Sequence, residues 1–226
     1  MAKSFNLGTC FLPQWSEGNE QTLFIQFLSS ASEVGDMRAL AFNGSPRQNG
    51  NTNKALEITL EELNKESIET ELVQMGSENL RGCKGCGICG KNMDEKCIFE
   101  ADKINDWIQM IKQSDGIIIG SPTYFGGLSS QTKAFIDRIG YVNRANGGLF
   151  RRKAGAAVAI NRRAGSLNTF DEINHFFLIA EMVIPGASYW NVGEALKQGD
   201  MLLDEEGVKT MQSLGRNMAW LLKRLS

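Results

Sequence analysis

A single histidine among 226 residues leaves little material for a histidine-based triad or acid–base couple. That residue, His175, falls off the apolar stripe of its helix and reads as a surface or subunit-interface residue. No paired-carboxylate signature stands in its place. Neither sign of charge dominates: the net charge is −2 and the isoelectric point about 5.6. A basic face for nucleic acid or an anionic membrane is therefore not expected. No apolar run approaches the roughly eighteen residues that a membrane helix needs. The first residues, which include Lys3, Asn6, Thr9 and Pro13, lack the apolar stretch of a signal peptide. The cytoplasm is the expected compartment. Internal repeats and low-complexity tracts are missing as well.

What is present is an ordinary globular composition, 42% hydrophobic and 22% charged, at a length that suits one domain with insertions. Residues 1–36 differ from the rest. They are rich in Ser, Glu, Asn and Gly, carry one short apolar stretch (Leu23 to Leu28), and read as a flexible or partner-packed N-terminal extension. Cys10 within them reads as a free thiol without a role. From Met37 to Ser226 a regular alternation begins. Strands are expected at Arg38–Asn43, Thr70–Val73, Gly116–Gly120 and Ala154–Ile160, with Met182–Ile184 opening the last. Helical stripes run through Leu56, Leu60 and Leu63; Ile104, Trp107, Ile108 and Ile111; and Thr132, Phe135, Ile136 and Ile139. Two further stripes are Ile173, Phe176, Phe177 and Ala180, then Leu214, Met218, Leu221 and Leu225. This β-α repetition predicts an α/β domain with a doubly wound, five-stranded parallel sheet. Ligands of such sheets bind beyond the carboxyl ends of the strands, where the strand order reverses.

The loop after the first strand, Asn43 to Asn53, joins a strand to a helix amino terminus. A phosphate placed there meets unpaired N–H groups and the positive end of the helix dipole. Gly44 and Gly50 allow close approach, Ser45, Asn51, Thr52 and Asn53 offer short polar contacts, and Arg47 offers charge. This loop lacks both G-x-x-x-x-G-K-[ST] and G-x-G-x-x-G, which argues against a triphosphate P-loop and a dinucleotide site. The alternative is a generic turn capped by Thr52 or Asn53.

Four cysteines, Cys83, Cys86, Cys89 and Cys97, fall within fifteen residues after the second strand. In a cytosolic chain that crowding points to metal or redox use and away from a disulfide framework. The C-x-x-C-x-x-C run with a separate fourth cysteine suits a 4Fe–4S cluster. Free thiols, tetrahedral zinc and a disulfide are the alternatives.

The run Gly44-Ser45-Pro46-Arg47-x-x-Gly50-Asn51-Thr52 resembles the phosphate loop of the flavodoxin-like, NADPH-dependent FMN reductases. Ser121-Pro122-Thr123-Tyr124-Phe125-Gly126, followed by Lys133 to Arg138, is similar to that family's second loop and the helix after it. The resemblance covers nearly all of the chain from Met37 and implies a flavodoxin-like fold and FMN as cofactor. Backbone N–H groups around Pro122, Thr123 and Gly126 would then meet the pyrimidine edge of the flavin. Tyr124 and Phe125 would border the ring, although either could be a core residue. The loop with Arg162, Arg163 and Gly165 resembles the one that closes over the flavin, and a cation there would favour the anionic reduced ring. Compact cysteine strings between the second strand and the next helix resemble the iron–sulfur flavoproteins. That branch pairs FMN with a 4Fe–4S cluster, and in it neighbouring subunits bring cluster and flavin close.

The expectation is an FMN-dependent oxidoreductase whose chemistry lies in the flavin, with no catalytic side chain. NAD(P)H or a ferredoxin would supply electrons, a small molecule would accept them, and a homodimer or homotetramer would be the working form. The alternatives are an iron–sulfur electron carrier and an FMN-binding module without turnover.

Overall fold

The computed structural model describes residues 37–225. The expected extension over 1–36 and Cys10 lie outside the described residues. The chain alternates through β1 (Arg38–Asn43), α1 (Asn51–Lys65), β2 (Glu69–Gln74), α2 (Ile88–Asn92), α3 (Ile104–Gln113) and β3 (Gly116–Pro122). It continues through α4 (Ser130–Ala145), β4 (Ala154–Asn161), α5 (Ser166–Ile179), β5 (Val192–Glu194), a 3-10 turn (Asp200–Leu203) and α6 (Glu205–Leu225). All strand pairs are parallel, in the order β2-β1-β3-β4-β5. This is the flavodoxin-like doubly wound order, and its reversal point lies between β1 and β3.

The period of two in each strand divides the core between the faces of the sheet. Leu40 and Phe42 of β1, with Ile117 and Ile119 of β3, face α3, α4 and α5. There Phe42, Trp107 and Phe135 form an aromatic cluster with ring centroids 4.7 to 6.1 Å apart. Ala39 and Ala41, with Ile118, Ala156 and Val158, face α1 and α6. Small residues on this side of β1 and β4 let the two helices lie close to the sheet. The expected stripes of α1, α3, α4 and α5 are all buried.

Two expectations need correction. Met182–Ile184 does not open the last strand. Val183 makes one bridge to Ala154, and Pro185, which has no N–H to continue a ladder, follows directly after Ile184. The strand forms instead at Val192–Glu194, against Ala159–Asn161 at the carboxyl end of β4. The cysteine-rich insertion lies between β2 and α3, with Cys89 in the short helix α2. On α6 the buried line runs through Met211, Leu214, Met218 and Leu222, while Leu221 is half-buried and Leu225 exposed. Spacings of three and four keep the first set on one face, whereas the expected set rotates off it towards the end.

Candidate functional site

The loop after β1 is held by its own polar residues. Asn43 Oδ1 accepts the Ser45 N–H at 3.0 Å, and Asn43 Nδ2 donates to Gln74 Oε1 at 2.6 Å. Gln74 Nε2 in turn donates to the Ser45 carbonyl at 2.7 Å. Ser45 Oγ accepts the Arg47 N–H at 3.2 Å, and the Gly50 N–H closes a turn on the Arg47 carbonyl at 3.1 Å. Gly76, just past β2, passes so close that a methyl there would stand 2.2 Å from the Ser45 carbonyl oxygen. The loop is therefore shaped before any ligand arrives.

Helix α1 starts at Gly50 with no side-chain cap. Its first N–H groups have no intrahelical acceptor, and the missing capping side chain leaves them for an anion. Thr52 and Asn53, the candidate caps, lie inside the first turn and are buried. Asn53 donates to Glu57 at 2.5 Å. Asn51 turns away to organise the segment after β5, accepting the Gly199 and Met201 N–H groups at 2.9 and 3.3 Å and donating to the Lys197 carbonyl at 2.8 Å. Ser45 is buried in the loop and Arg47 is exposed at its tip.

The loop after β3 is tied to the first. Ser129 Oγ donates to the Gly44 carbonyl at 2.8 Å and accepts the Thr132 N–H at 3.3 Å, capping α4. Only a glycine fits at position 44, since a methyl would stand 1.9 Å from Thr132 Oγ1. Tyr124 and Gly127 exchange backbone hydrogen bonds of 2.9 and 3.1 Å around Phe125 (φ 51°) and Gly126 (φ 80°). Positive φ at both central residues is the type I′ hairpin turn. Phe125 is thus no core residue. It is fully exposed at the turn tip, in a backbone conformation uncommon for a bulky side chain, with half-exposed Tyr124 beside it. Pro122 ends β3, and the Thr123 N–H donates to the Ile160 carbonyl at 2.7 Å.

The loop after β4 completes the rim. A methyl at Gly165 would lie 3.4 Å from Gly126 Cα, and Thr169 of α5 hydrogen-bonds Thr123 at 3.1 Å. Arg162 and Arg163 are exposed at its tip. Three loops from three strand ends thus meet at the β1/β3 reversal. An uncapped helix end lies on one side, an exposed aromatic turn on another, and cationic tips stand around them. This set suits a phosphate joined to a flat aromatic ring system, as in FMN. Of the thirteen expected residues the loops carry, Asn51, Thr52 and Asn53 have side chains committed or buried within the protein, so backbone N–H groups are what they offer. Sequence reasoning missed Gln74, Gly76, Ser129 and Thr169. Their signal was weak, for each acts through a contact made far away in the chain.

A second site lies farther along α4. Cys83, Cys86, Cys89 and Cys97 line one narrow pocket together with Phe99, Arg138, Tyr141 and Val142. Burial raises the Cys89 thiol above its ordinary pKa; the Gly90 N–H opposes this, and neighbouring Cys86 and Cys97 add to the rise. Gly85 and Gly87 take φ of 65° and 71°, which lets the chain turn between the sulfurs, and the Gly85 N–H donates to Cys83 Sγ at 3.4 Å. Asn105 fixes the fourth cysteine by accepting the Cys97 N–H and donating to its carbonyl, both at 2.8 Å. All four thiols are free, and among the described residues no three potential ligands are gathered into a formed metal centre. The pocket nonetheless fits an anionic, sulfur-bound group. Its donors are four soft sulfurs, and the buried Arg138 Nε–H on its wall has no acceptor. Arg138 and Tyr141 lie eight and eleven residues beyond Ser130 on α4. At a helical rise of about 1.5 Å per residue, the cysteine pocket is roughly 12–17 Å from the flavin-side end of that helix.

No helix among the described residues is long and apolar enough to cross a membrane. The family model described as NADPH-dependent FMN reductase matches residues 37–197. An iron–sulfur flavoprotein of Methanocaldococcus jannaschii is 35% identical over 199 residues, covering 83% of this chain and 98% of that protein. An iron–sulfur flavoprotein of Methanosarcina thermophila is 29% identical over 181 residues, covering 76% of this chain and 93% of that one. Among solved structures, a WrbA-like flavodoxin from Agrobacterium tumefaciens superposes with a TM-score of 0.57 at 15% identity, over 85% of this chain and all of that one. The three-loop site, the strand order and these similarities agree: the chain belongs to the NADPH-dependent FMN reductase family, in its iron–sulfur flavoprotein branch.

Proposed function

We propose that this protein is an FMN-dependent oxidoreductase that takes electrons from NAD(P)H or a ferredoxin-type donor and passes them to a small acceptor. The meeting of three loops at the β1/β3 reversal carries this reading, because that geometry suits a phosphorylated flavin and asks for no catalytic side chain. In this assignment the N–H groups of Asn51, Thr52 and Asn53, with Ser45 and Arg47, hold the phosphate. Pro122, Thr123 and Gly126 present backbone to the pyrimidine edge, and Tyr124 and Phe125 flank the ring. Arg162, Arg163 and Gly165 close the third side. Bound FMN supplies hydride and single-electron transfer, while the protein orients it, limits access of water and sets its charge environment.

The second part of the proposal is that Cys83, Cys86, Cys89 and Cys97 hold a 4Fe–4S cluster. Their sharing of one pocket supports it, as do the names of the relatives. A homodimer or homotetramer is the proposed working form. The surface that suits self-association is the groove between α4 and α5, of about 510 Å³, floored by Ile136, Gly140 and Phe176. It starts at Leu128 beside the flavin loop and reaches Tyr141, which also lines the cysteine pocket.

Anaerobic purification followed by a visible spectrum and iron and sulfide assays tests both cofactors. The expected result is FMN together with four irons and four sulfides per chain, as the named cluster requires. A flavin spectrum without iron would overturn the cluster and leave the reductase. Bleaching by NADPH or by reduced ferredoxin identifies the donor, and bleaching by neither favours the binding module.

A further inference from the structure

The helix that joins the two sites carries one buried charged residue, and flavin binding does not use it. Arg138 is 1% exposed, the largest of the fully buried side chains. It ion-pairs with Asp102 through Nη1. Nη1 also donates to the Arg81 carbonyl at 3.3 Å, and Nη2 donates to the Phe99 carbonyl at 3.0 Å. Arg81 precedes the first cysteine and Phe99 follows the last, so one guanidinium staples both ends of the cysteine segment to α4. Its Nε–H remains buried without an acceptor. An unmet donor on a buried cation is costly, which leaves the Nε–H ready for an acceptor at the pocket.

Two further cations gather at the same place. Arg81 and Lys84 stand 4.3 and 5.0 Å from the centroid of the Phe99 ring, with Arg138 at 5.7 Å. Phe99 and Lys84 both line the cysteine pocket. Asp102 is the counter-charge on Arg138, which leaves this corner cationic around four sulfurs.

We infer that Arg138 is the positioning residue of the cysteine site: it closes the cysteine segment against α4 and places a fixed positive charge beside the sulfur-bound iron, raising its reduction potential. This rests on the cluster proposed above. Four thiolates give such a centre a net negative charge that grows on reduction, so a nearby buried cation stabilises the reduced form. Asp102 opposes that effect while orienting the guanidinium.

The two members of the pair therefore predict shifts of opposite sign, which a purely structural role would not produce. The full-length protein is reconstituted anaerobically with iron and sulfide, and the cluster and flavin potentials are read in one spectroscopic redox titration. Arg138→Gln is expected to lower the cluster potential, Asp102→Asn to raise it, and Arg138→Lys to restore most of the loss. The flavin potential, reported from the other end of α4, should stay within error. FMN retention in each variant reports that the domain is folded. If Arg138→Gln takes up no iron, Arg138→Lys decides: full iron loading supports the charge requirement, and an empty but FMN-bound Lys variant overturns it. Shifts of the same sign, or an iron-loaded Arg138→Gln with the parental potential, also overturn the inference while leaving the cluster standing. A parent chain that takes up no iron removes the cluster reading and this inference with it.

Discussion

The two candidate sites sit along one helix yet are built in opposite ways. The flavin site is made of strand ends and helix starts. Its loops are short, its polar backbone groups are paired through Asn43, Gln74 and Ser129, and Gly44 and Gly76 are packed too tightly to accept a methyl. The cysteine site is a long excursion between β2 and α3 with a single five-residue helix and mostly exposed residues. It is fastened by Arg138, Asp102 and Asn105 and has no apolar core of its own. The first site is shaped by tight packing, and the second is fastened by a few polar contacts at its ends. In energetic terms, damage to the first should appear as lost stability and lost FMN together. Damage to the second should appear as lost iron with little else changed.

The strongest way to break that contrast is Gly76→Ala. Its methyl must displace the Ser45 backbone, and overpacking of this kind costs about 1–3 kcal/mol. Thermal melting should fall and FMN should be largely lost in equilibrium dialysis. Retained FMN with a parental melting curve would show that the loop is less rigid than its contacts suggest. Cys86→Ser is the counterpart. Cys86 is exposed, so melting and FMN affinity should change by no more than about 0.5 kcal/mol while iron per chain collapses. A large fall in melting temperature of the iron-free protein would place structural weight on this segment.

Arg47→Ala should weaken FMN binding about tenfold, the lower range for a charge-assisted hydrogen bond, and the loss should shrink at high salt. Unchanged affinity in fluorescence titration would put the phosphate elsewhere. Phe125→Gly removes a bulky residue from a left-handed position (φ 51°), which should stabilise the apoprotein by about 1 kcal/mol. If the ring covers the flavin, the same change should raise the rate at which oxygen or iodide quenches bound FMN.

The smallest effect is a control in neither site. Glu62 pairs with Lys65 of its own helix α1 at 2.6 Å and reaches Arg216 of α6 at 3.3 Å. The Lys65 hydrogen bond, then that of Arg216, holds its carboxyl below the ordinary carboxylate range against the opposing effect of burial. A lowered folded-state pKa means stability that is present above the unfolded pKa and lost as pH falls through the folded one. Glu62→Gln should therefore cost about 0.5–1 kcal/mol near neutrality and progressively less as acid protonates the parent. A cost that persists unchanged below pH 3 in denaturant melts would show that packing, not charge, joins the helices.

The sheet was legible because parallel strands buried on both faces leave long apolar runs, as in Gly116–Gly120 and Ala154–Ile160. The flavin loops were legible because glycine, short polar residues and arginine cluster at strand ends. The last strand was not legible. Val192–Glu194 has only three residues, and its place is set by the returning chain rather than by any local pattern. Asn51 was read as a ligand on type and position, but its amide serves a segment about 150 residues away. That commitment is visible only once α1 and the 3-10 turn are neighbours.

By itself, the sequence determined the parallel α/β architecture, the order of the candidate flavin loops, and the crowding of Cys83, Cys86, Cys89 and Cys97. These follow from local periodicity and local composition, which need no knowledge of distant neighbours. The tertiary structure decided which of those residues point to the site and which hold it together. It set Phe125 on an exposed turn and not in the core, gave the Asn51 amide a structural partner, and brought Arg138 of α4 to the wall of the cysteine pocket. Such roles depend on contacts across large sequence separations, and the chain specifies those only through its complete packing.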